Sequence, residues 1–388
     1  MKPRIGIGVV GFGWMGQAHS RSYLRIPTLF PERDADAELV ACSDTVDAAR
    51  EKAQSAFGFR EVFAEWRRVC DHPDVDAVVV TAPNMLHVEI VEAASAAGKH
   101  VFCEKPVGGT PEQTVRAAVA ARAAGVTTGV GYNYRFAPLV RHARELISSG
   151  RLGEITAYRG RFFSMYGSDP LGVLSWRFEQ DEGGYGASTD LLSHVVDLAH
   201  MLVGPIARVI GMRATTIRER PLPPPGGSHY GRGRPGDPVG PVTNEDYAAL
   251  LAEFATGATG TFEAARSLVG PESQMAFDVY GTKGALSWDL ERLNELRVHL
   301  TPDGYTTVLG GDRFPHHGNF VPGGGNTIGF EDLIAIEDYE FLQAIARGEA
   351  YEPGFDAALE YVAVQSALVR SWDSGAWESV TPVLEPVA

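Results

Sequence analysis

Cysteine is scarce. Cys42, Cys70 and Cys103 are the only three in 388 residues, too few and too scattered for a disulfide framework or a zinc site, so a reducing compartment fits best. Long hydrophobic runs are missing too. The apolar stretch Ile5 to Val10 runs straight into a glycine-rich turn and falls far short of the ~20 residues a membrane span requires. It also lacks the charged, apolar and small-residue order of a secretion signal. Positive charge is in deficit: 34 Lys and Arg against 49 Asp and Glu leave a net charge of −15. That argues against a general nucleic-acid binder, which needs a basic face for phosphates, but does not exclude a small anion held locally. There is no internal repeat. The expectation is a soluble, cytoplasmic protein without a nucleic-acid or membrane partner.

What is present is a change of texture along the chain. Ile5–Val10, Glu38–Ser43, Asp76–Thr81, His100–Cys103 and Thr127–Gly131 read as short, apolar strands. Helical stretches separate them, at about 15–25, 46–57, 85–97 and 111–124. This alternation predicts a doubly wound parallel sheet over residues 1–134, an α/β domain. Beyond Tyr134, β-like runs dominate and Gly257, Gly281 and Gly284 punctuate them as hairpin turns would. Residues 135–388 are therefore expected to form an α+β domain on a large, mainly antiparallel open sheet. The Pro/Gly-rich stretch 220–242 reads as an insertion loop, ordered only if something packs on it.

Gly11-Phe12-Gly13-Trp14-Met15-Gly16 matches G-x-G-x-x-G between a strand and a helix, the signature of a Rossmann dinucleotide site. The first glycine allows the tight turn, the second lets backbone approach a pyrophosphate, and the third permits close packing of helix on strand. Asp44 ends the second strand, where a carboxylate can bind ribose hydroxyls and would repel a 2′-phosphate. Thr45 and Val46 bring no arginine to hold that phosphate, so NAD is expected rather than NADP. Asp44 could equally cap the helix that begins near Val46, and both can hold at once.

Two segments add chemistry. Thr81-Ala82-Pro83-Asn84-Met85-Leu86-His87 and Glu104-Lys105-Pro106 both lie at carboxyl ends of strands, where open α/β sheets bind ligands. Lys105 beside a nicotinamide could hydrogen-bond a substrate hydroxyl; alternatively it forms an ion pair at the sheet edge. Farther on, Asp190 and His194 lie four apart on one expected helix, with Asp197 near that face. A histidine, with an ordinary pKa of about 6.5, can take a hydroxyl proton. A surface ion pair between the two is the plainer alternative.

As a set, these segments resemble the Gfo/Idh/MocA family, the glucose–fructose oxidoreductase and inositol dehydrogenase group. The resemblance rests on Gly11 to Gly16 with His19, Ala82-Pro83-Asn84 with His87, and Gly98 to Pro106. Asn133-Tyr134-Arg135, Trp176-Arg177 and Gly183 to Asp197 carry it nearly the whole length of the chain. It implies that Lys105 stands at the reacting carbon, with a cis Lys105–Pro106 peptide, and that Asp190 and His194 face it. It implies that Asn84, His87, Glu104 and Asn133 lie along the nicotinamide half of the cofactor, with Trp176 and Arg177 reaching over it. Lys105, Tyr134, Asp190 and His194 would then contact substrate. The sequence is most similar to family members that oxidise the C3 hydroxyl of sugars and anhydrosugars such as levoglucosan. Leu192 departs from the family's more common glycine or alanine, which leaves the Asp190–His194 pair intact but reshapes the pocket wall.

The expected activity is NAD-dependent oxidation of a secondary ring hydroxyl of a sugar, anhydrosugar or glycoside. His194 would act as base, Lys105 as hydrogen-bond donor to the same oxygen, and Asp190 as orienter; which of His194 and Lys105 takes the proton first stays open. Cyclitol dehydrogenation, NAD-dependent glycoside cleavage and a non-catalytic sugar sensor are the rivals. No metal is expected: His316-His317 has no third ligand at a sensible spacing. Trp14 is expected to pack beside the cofactor and His19 to be structural. An open sheet whose outer face needs cover predicts a homodimer or homotetramer.

Overall fold

The structure, a computed structural model, describes residues 2–224, 231–300, 302 and 304–384. The chain forms two compact units, each assembled from separated stretches. The first comprises Met1–Gly108, Glu112–Pro138 and Gly311–Leu359; the second comprises Gly109–Pro111, Leu139–Gly310 and Glu360–Ala388. A division at residue 134 leaves 311–359 with the second domain, whereas by packing that segment belongs to the first unit. The reason is visible in its contacts. Helix Phe330–Arg347 lies against helix Trp14–Leu29, and Arg21 and Arg25 of the latter bond Glu331 and Asp332, each at 2.6 Å.

In the first unit, β1 (Arg4–Val10), β2 (Asp36–Ser43), β3 (Glu61–Phe63), β4 (Ala77–Val80), β5 (His100–Cys103) and β6 (Thr128–Val130) pair in parallel in the order β3-β2-β1-β4-β5-β6. The reversal of direction at β1 makes a switch point beside its carboxyl end, where the glycine turn sits. Strands such as Ala77–Val80 are buried throughout, as a sheet covered on both faces requires. The core joins Ile7, Val9, Phe30 and Phe102 to Phe341 and Tyr351 of the returning segment, with Phe30 and Tyr339 stacked at 3.9 Å.

The second unit is built on nine strands: β7 (Ile155–Ser164), β8 (Ile206–Ala214), β11 (Tyr247–Phe254), β12 (Thr259–Ala265), β13 (Ser273–Gly281), β14 (Ala285–Asp289), β15 (Glu295–His299), β16 (Thr306–Leu309) and β17 (Glu378–Ser379). Their order is β16-β15-β14-β13-β7-β12-β11-β8-β17. All neighbours run antiparallel except β7 and β12, which are parallel, so the sheet is mixed and mostly antiparallel. Strand β11 alternates buried and open positions, the period-two signature of a sheet with one covered face.

The Pro/Gly-rich insertion contributes a small hairpin, β9 (Glu219–Pro221) with β10 (Val239–Pro241); its residues 225–230 lie outside the described residues. What packs on it is the loop 167–174. Leu174 N–H donates to Pro221 O at 2.7 Å, Gly233 N–H to Leu171 O at 2.8 Å, and Arg232 pairs with Asp169 at 2.6 Å. Among the described residues no helix is long and apolar enough to cross a membrane.

Candidate active site

The expected site residues fall into two groups, one in each unit. In the first unit the glycine turn satisfies the geometric demands of its motif. Gly11 has φ +90°, and a Cβ there would meet Ala82 N at 2.7 Å. A Cβ on Gly16 would meet Gly11 O at 2.1 Å, so only glycine lets the helix start this close to β1. Gly13 is different: a Cβ on it would have nothing within 4 Å, which is the open approach a bound pyrophosphate needs. Gly13 is also the N-cap of helix Trp14–Leu29, whose leading N–H groups and dipole favour an anion. The Phe12 side chain turns into the core against Phe57 and Phe59, leaving its backbone to line the turn. Trp14 packs against Phe330 at 5.4 Å, and Met15 follows it into the helix.

Asp44 is held by two backbone donors at the end of β2. Its Oδ1 accepts from Val46 N–H at 2.8 Å and its Oδ2 from Phe12 N–H at 2.7 Å. The carboxylate thus ties the end of β2 to the glycine turn while each oxygen keeps a second lone pair for a ribose hydroxyl. One neighbour escaped the sequence reading: Arg50, one helical turn on, donates to Asp44 O at 2.6 Å and pairs with Asp47. This cradle fits a dinucleotide.

At the carboxyl ends of β4 and β5, Pro83 caps helix Asn84–Ala96, which carries Asn84 and His87. His87 is buried with Nδ1 2.7 Å from Pro106 O and Nε2 2.7 Å from Ala82 O, so its ring links the two strand ends. Burial lowers its pKa, against the two carbonyls, which act to raise it. Lys105–Pro106 is a cis peptide. The Lys105 N–H donates to Glu104 Oε2 at 3.1 Å, so the acid closest to Lys105 in sequence meets its main chain. Glu104 Oε1 lies 3.2 Å from His19 Nε2, and His19 Nδ1 lies 2.8 Å from Asp338 Oδ1. Asn133 and Tyr134 lie buried in the short helix Asn133–Phe136 after β6, and the Tyr134 ring meets Phe330 at 6.1 Å.

In the second unit the expected continuous helix from Asp190 is not regular. Ser188–Leu192 is a π-helical turn and the α-helix proper is Ser193–Leu202. Asp190 lies within the π turn and His194 in the first turn of the α-helix that follows. Asp190 Oδ2 accepts from the Tyr166 hydroxyl at 2.9 Å and lies 4.0 Å from Arg177 Nη1. Desolvation, then the Asp190 charge, push the Tyr166 phenol above its ordinary pKa, so it remains a donor. Tyr166 had no motif to announce it. His194 is buried, its ring 5.9 Å from that of Phe162. The entry to the π turn is packed backbone on backbone: a Cβ on Gly186 would sit 2.0 Å from Glu245 O, and Ser188 N–H donates to Glu245 Oε1 at 2.9 Å.

Trp176 and Arg177 sit in a short helical turn, Trp176–Phe178, with the Arg177 guanidinium 4.4 Å from the Trp176 ring centre. A buried ion pair secures their main chain. Arg266 donates to Asp246 Oδ1 at 3.0 Å, to Arg177 O at 2.7 Å and to Asn244 Oδ1 at 2.7 Å. Arg266 and Arg220 both stack on Phe178, at 4.4 and 3.9 Å from its centre. Arg220 donates to the carbonyls of Asp169 and Gly167 as well, which draws the insertion hairpin onto the loop that follows Tyr166. Among the described residues there is no cluster able to hold a metal ion.

Residues 5–132 match the oxidoreductase family with an NAD-binding Rossmann fold, and residues 140–287 match the GFO/IDH/MocA C-terminal domain. The chain is 34% identical to levoglucosan dehydrogenase of Pseudarthrobacter phenanthrenivorans over 98% of its length and 99% of that protein's. It is 25% identical to inositol 2-dehydrogenase of Rhizobium meliloti, over 95% and 96% of the two chains. Its fold superposes on a solved levoglucosan dehydrogenase in complex with NADH and levoglucosan with a TM-score of 0.91, at 32% identity, covering 97% of this chain and 99% of that one. With its glycine turn, its strand-end lysine and both halves matched, the chain belongs to the Gfo/Idh/MocA family of NAD-binding oxidoreductases.

Proposed function

We propose that the protein oxidises a secondary ring hydroxyl, at C3 of a sugar or anhydrosugar such as levoglucosan, to the ketone. The observation that carries this reading is the likeness to levoglucosan dehydrogenase along nearly the full length of both chains, in sequence and in fold. When bound, NAD supplies the hydride acceptor. Gly11, Gly13 and Gly16 would admit its pyrophosphate at the helix N-terminus, and Asp44 its adenosine ribose, with NAD preferred over NADP. Lys105 donates a hydrogen bond to the substrate oxygen and steadies the negative charge that grows on it as the carbon–hydrogen bond breaks. His194 accepts the hydroxyl proton. Asp190, supported by Tyr166 and Arg177, orients the substrate through a neighbouring hydroxyl. The carbon loses a hydride, the oxygen loses a proton, and the C=O bond closes.

A cyclitol substrate is the second reading, favoured by the match to inositol 2-dehydrogenase over 95% of the chain. Homo-oligomerisation belongs to the same proposal: Met212 and Leu251, on adjacent strands β8 and β11, leave an apolar surface on the outer face of the sheet. The test is NADH formation with levoglucosan, aldoses, glycosides and inositols, with NAD and NADP in parallel and Lys105→Met as control. Turnover of anhydrosugars and sugars with NAD, lost in Lys105→Met, is expected. Turnover confined to inositols overturns the first reading in favour of the second, and unchanged turnover by Lys105→Met overturns the assignment of that lysine.

A further inference from the structure

A buried polar chain in the first unit, Asp338–His19–Glu104, ends on the main chain of Lys105. Helix Trp14–Leu29 supplies His19, helix Phe330–Arg347 supplies Asp338, and the end of β5 supplies Glu104. His19 and Asp338 are fully buried and Glu104 nearly so. Both ring nitrogens of His19 face carboxylate oxygens, at 2.8 and 3.2 Å. A neutral imidazole would present a lone pair to one of those anions, so the ring is an imidazolium donating from both sides. Burial by itself would strip that proton. The charge and hydrogen bond of Asp338, and then those of Glu104, outweigh burial and hold the His19 pKa well above its usual value.

Ionisable groups near this chain include Tyr23 and Glu337 beside Asp338, and Cys103, His87 and Lys105 itself beside Glu104. Glu104 has little room to swing: a Cβ on Gly131 would lie 2.7 Å from its Oε2. Buried charges of this kind rarely add stability over an apolar packing of the same shape, because desolvation offsets the attraction. What the arrangement does secure is orientation. Glu104 presents one oxygen to His19 and the other to the Lys105 N–H.

We propose that His19 is a positioning residue for Lys105: clamped by Asp338, it holds the Glu104 carboxylate in the orientation that fixes the Lys105 main chain, and with it the lysine's reach to the reacting oxygen. The inference rests on the reading of Lys105 given above.

The experiment compares full-length wild type with His19→Gln, Asp338→Asn, Glu104→Gln, the His19→Gln/Glu104→Gln double variant and Lys105→Met, using NAD and levoglucosan. His19→Gln and Asp338→Asn are expected to lower kcat by about tenfold or more with KM for NAD changed less than about twofold. The double variant is expected to be no slower than Glu104→Gln alone, because the effect travels through that carboxylate. Two readouts need no substrate. Nitrogen-15 histidine spectra of the unliganded protein are expected to show both His19 ring nitrogens protonated at about pH 8. The Lys105 amide proton resonance is expected to move upfield in His19→Gln. An unchanged kcat, multiplicative losses in the double variant, or a neutral His19 ring at neutral pH would overturn the proposal. If His19→Gln does not fold, the isosteric Asp338→Asn carries the same comparisons. Full activity in Lys105→Met would instead overturn the role of Lys105, and the spectra would still decide whether the relay exists.

Discussion

Replacing Arg266 by methionine isolates the contribution of one buried ion pair to the segment that carries Trp176 and Arg177. Arg266 and Asp246 are 1% and 0% exposed at their side chains and 3.0 Å apart. The substitution removes the charged donor from Asp246 Oδ1 and the donors to Arg177 O and Asn244 Oδ1. Asp246 keeps only neutral donors to its other oxygen, the Thr216 and Ile217 N–H groups at 3.0 Å each. Two lost hydrogen bonds at about 1 kcal/mol each and a buried carboxylate deprived of its bonded cation, with the Arg220 charge still acting on it, place the cost at about 3–5 kcal/mol. For a unit of this size that lowers the melting temperature by roughly 2–4 °C per kcal/mol. Methionine retains apolar contact with Phe178, so packing loss is a minor part. Urea unfolding followed by tryptophan fluorescence measures the change. Adding Asp246→Asn removes that buried charge, and the double variant should recover about 2 kcal/mol relative to the sum of the singles. A cost below about 1 kcal/mol, or strict additivity, would refute the claim that this pair holds the Arg177 segment.

The glycine turn allows a cleaner separation of folding from binding. Gly16→Ala, with its added carbon 2.1 Å from Gly11 O, should lower the melting temperature, whereas Gly13→Ala should fold as wild type yet lose at least about tenfold in NADH affinity by fluorescence titration. Stability should also follow His19. Its folded pKa lies above the unfolded value of about 6.5, so its contribution is complete below that pH and is lost as pH rises through the folded value. The urea midpoint should therefore fall on the alkaline side, and His19→Gln should flatten that limb. All three cysteines are buried, and burial pushes the Cys70 thiol up to about 12. A thiol-reactive chromophore should consequently count none in the native protein at neutral pH and three after unfolding.

Much of the first unit was legible because its signals are local. A wholly apolar run such as Ala77–Val80, followed by a helix that ends just before Gly98, declares a buried parallel strand, and Gly11, Gly13 and Gly16 declare the turn through the backbone they permit. What stayed hidden depends on pairs distant in sequence. Arg21 and Glu331 are 310 residues apart, and nothing in either stretch says that 311–359 returns to the first unit. The π turn at Ser188–Leu192 was equally silent, since its spacing of polar residues reads as an ordinary helix. Tyr166 reaches Asp190 from a loop without a motif, and Arg50 reaches the end of β2 only because a helical turn brings it back. Asp44 shows the intermediate case: its position was readable, but its bond to Phe12 N–H required the register of β1 beside β2.

The placement of β7 between β12 and β13 has a consequence for how the chain is made. Arg161 of β7 and Asp278 of β13, to which its side chain donates, are separated by 117 residues, and the parallel neighbour β12 also comes long after β7 in the sequence. The earliest strand of the sheet is thus an inner one, and its amide and carbonyl edges stay unmatched until β12 and β13 have been made. Translation at about 5–20 residues per second leaves that strand waiting several seconds or more for its partners. Closing such long loops before any pairing reward is slow, and an exposed strand edge is sticky meanwhile. A nascent chain halted between β7 and β12 should therefore be the species most in need of a chaperone.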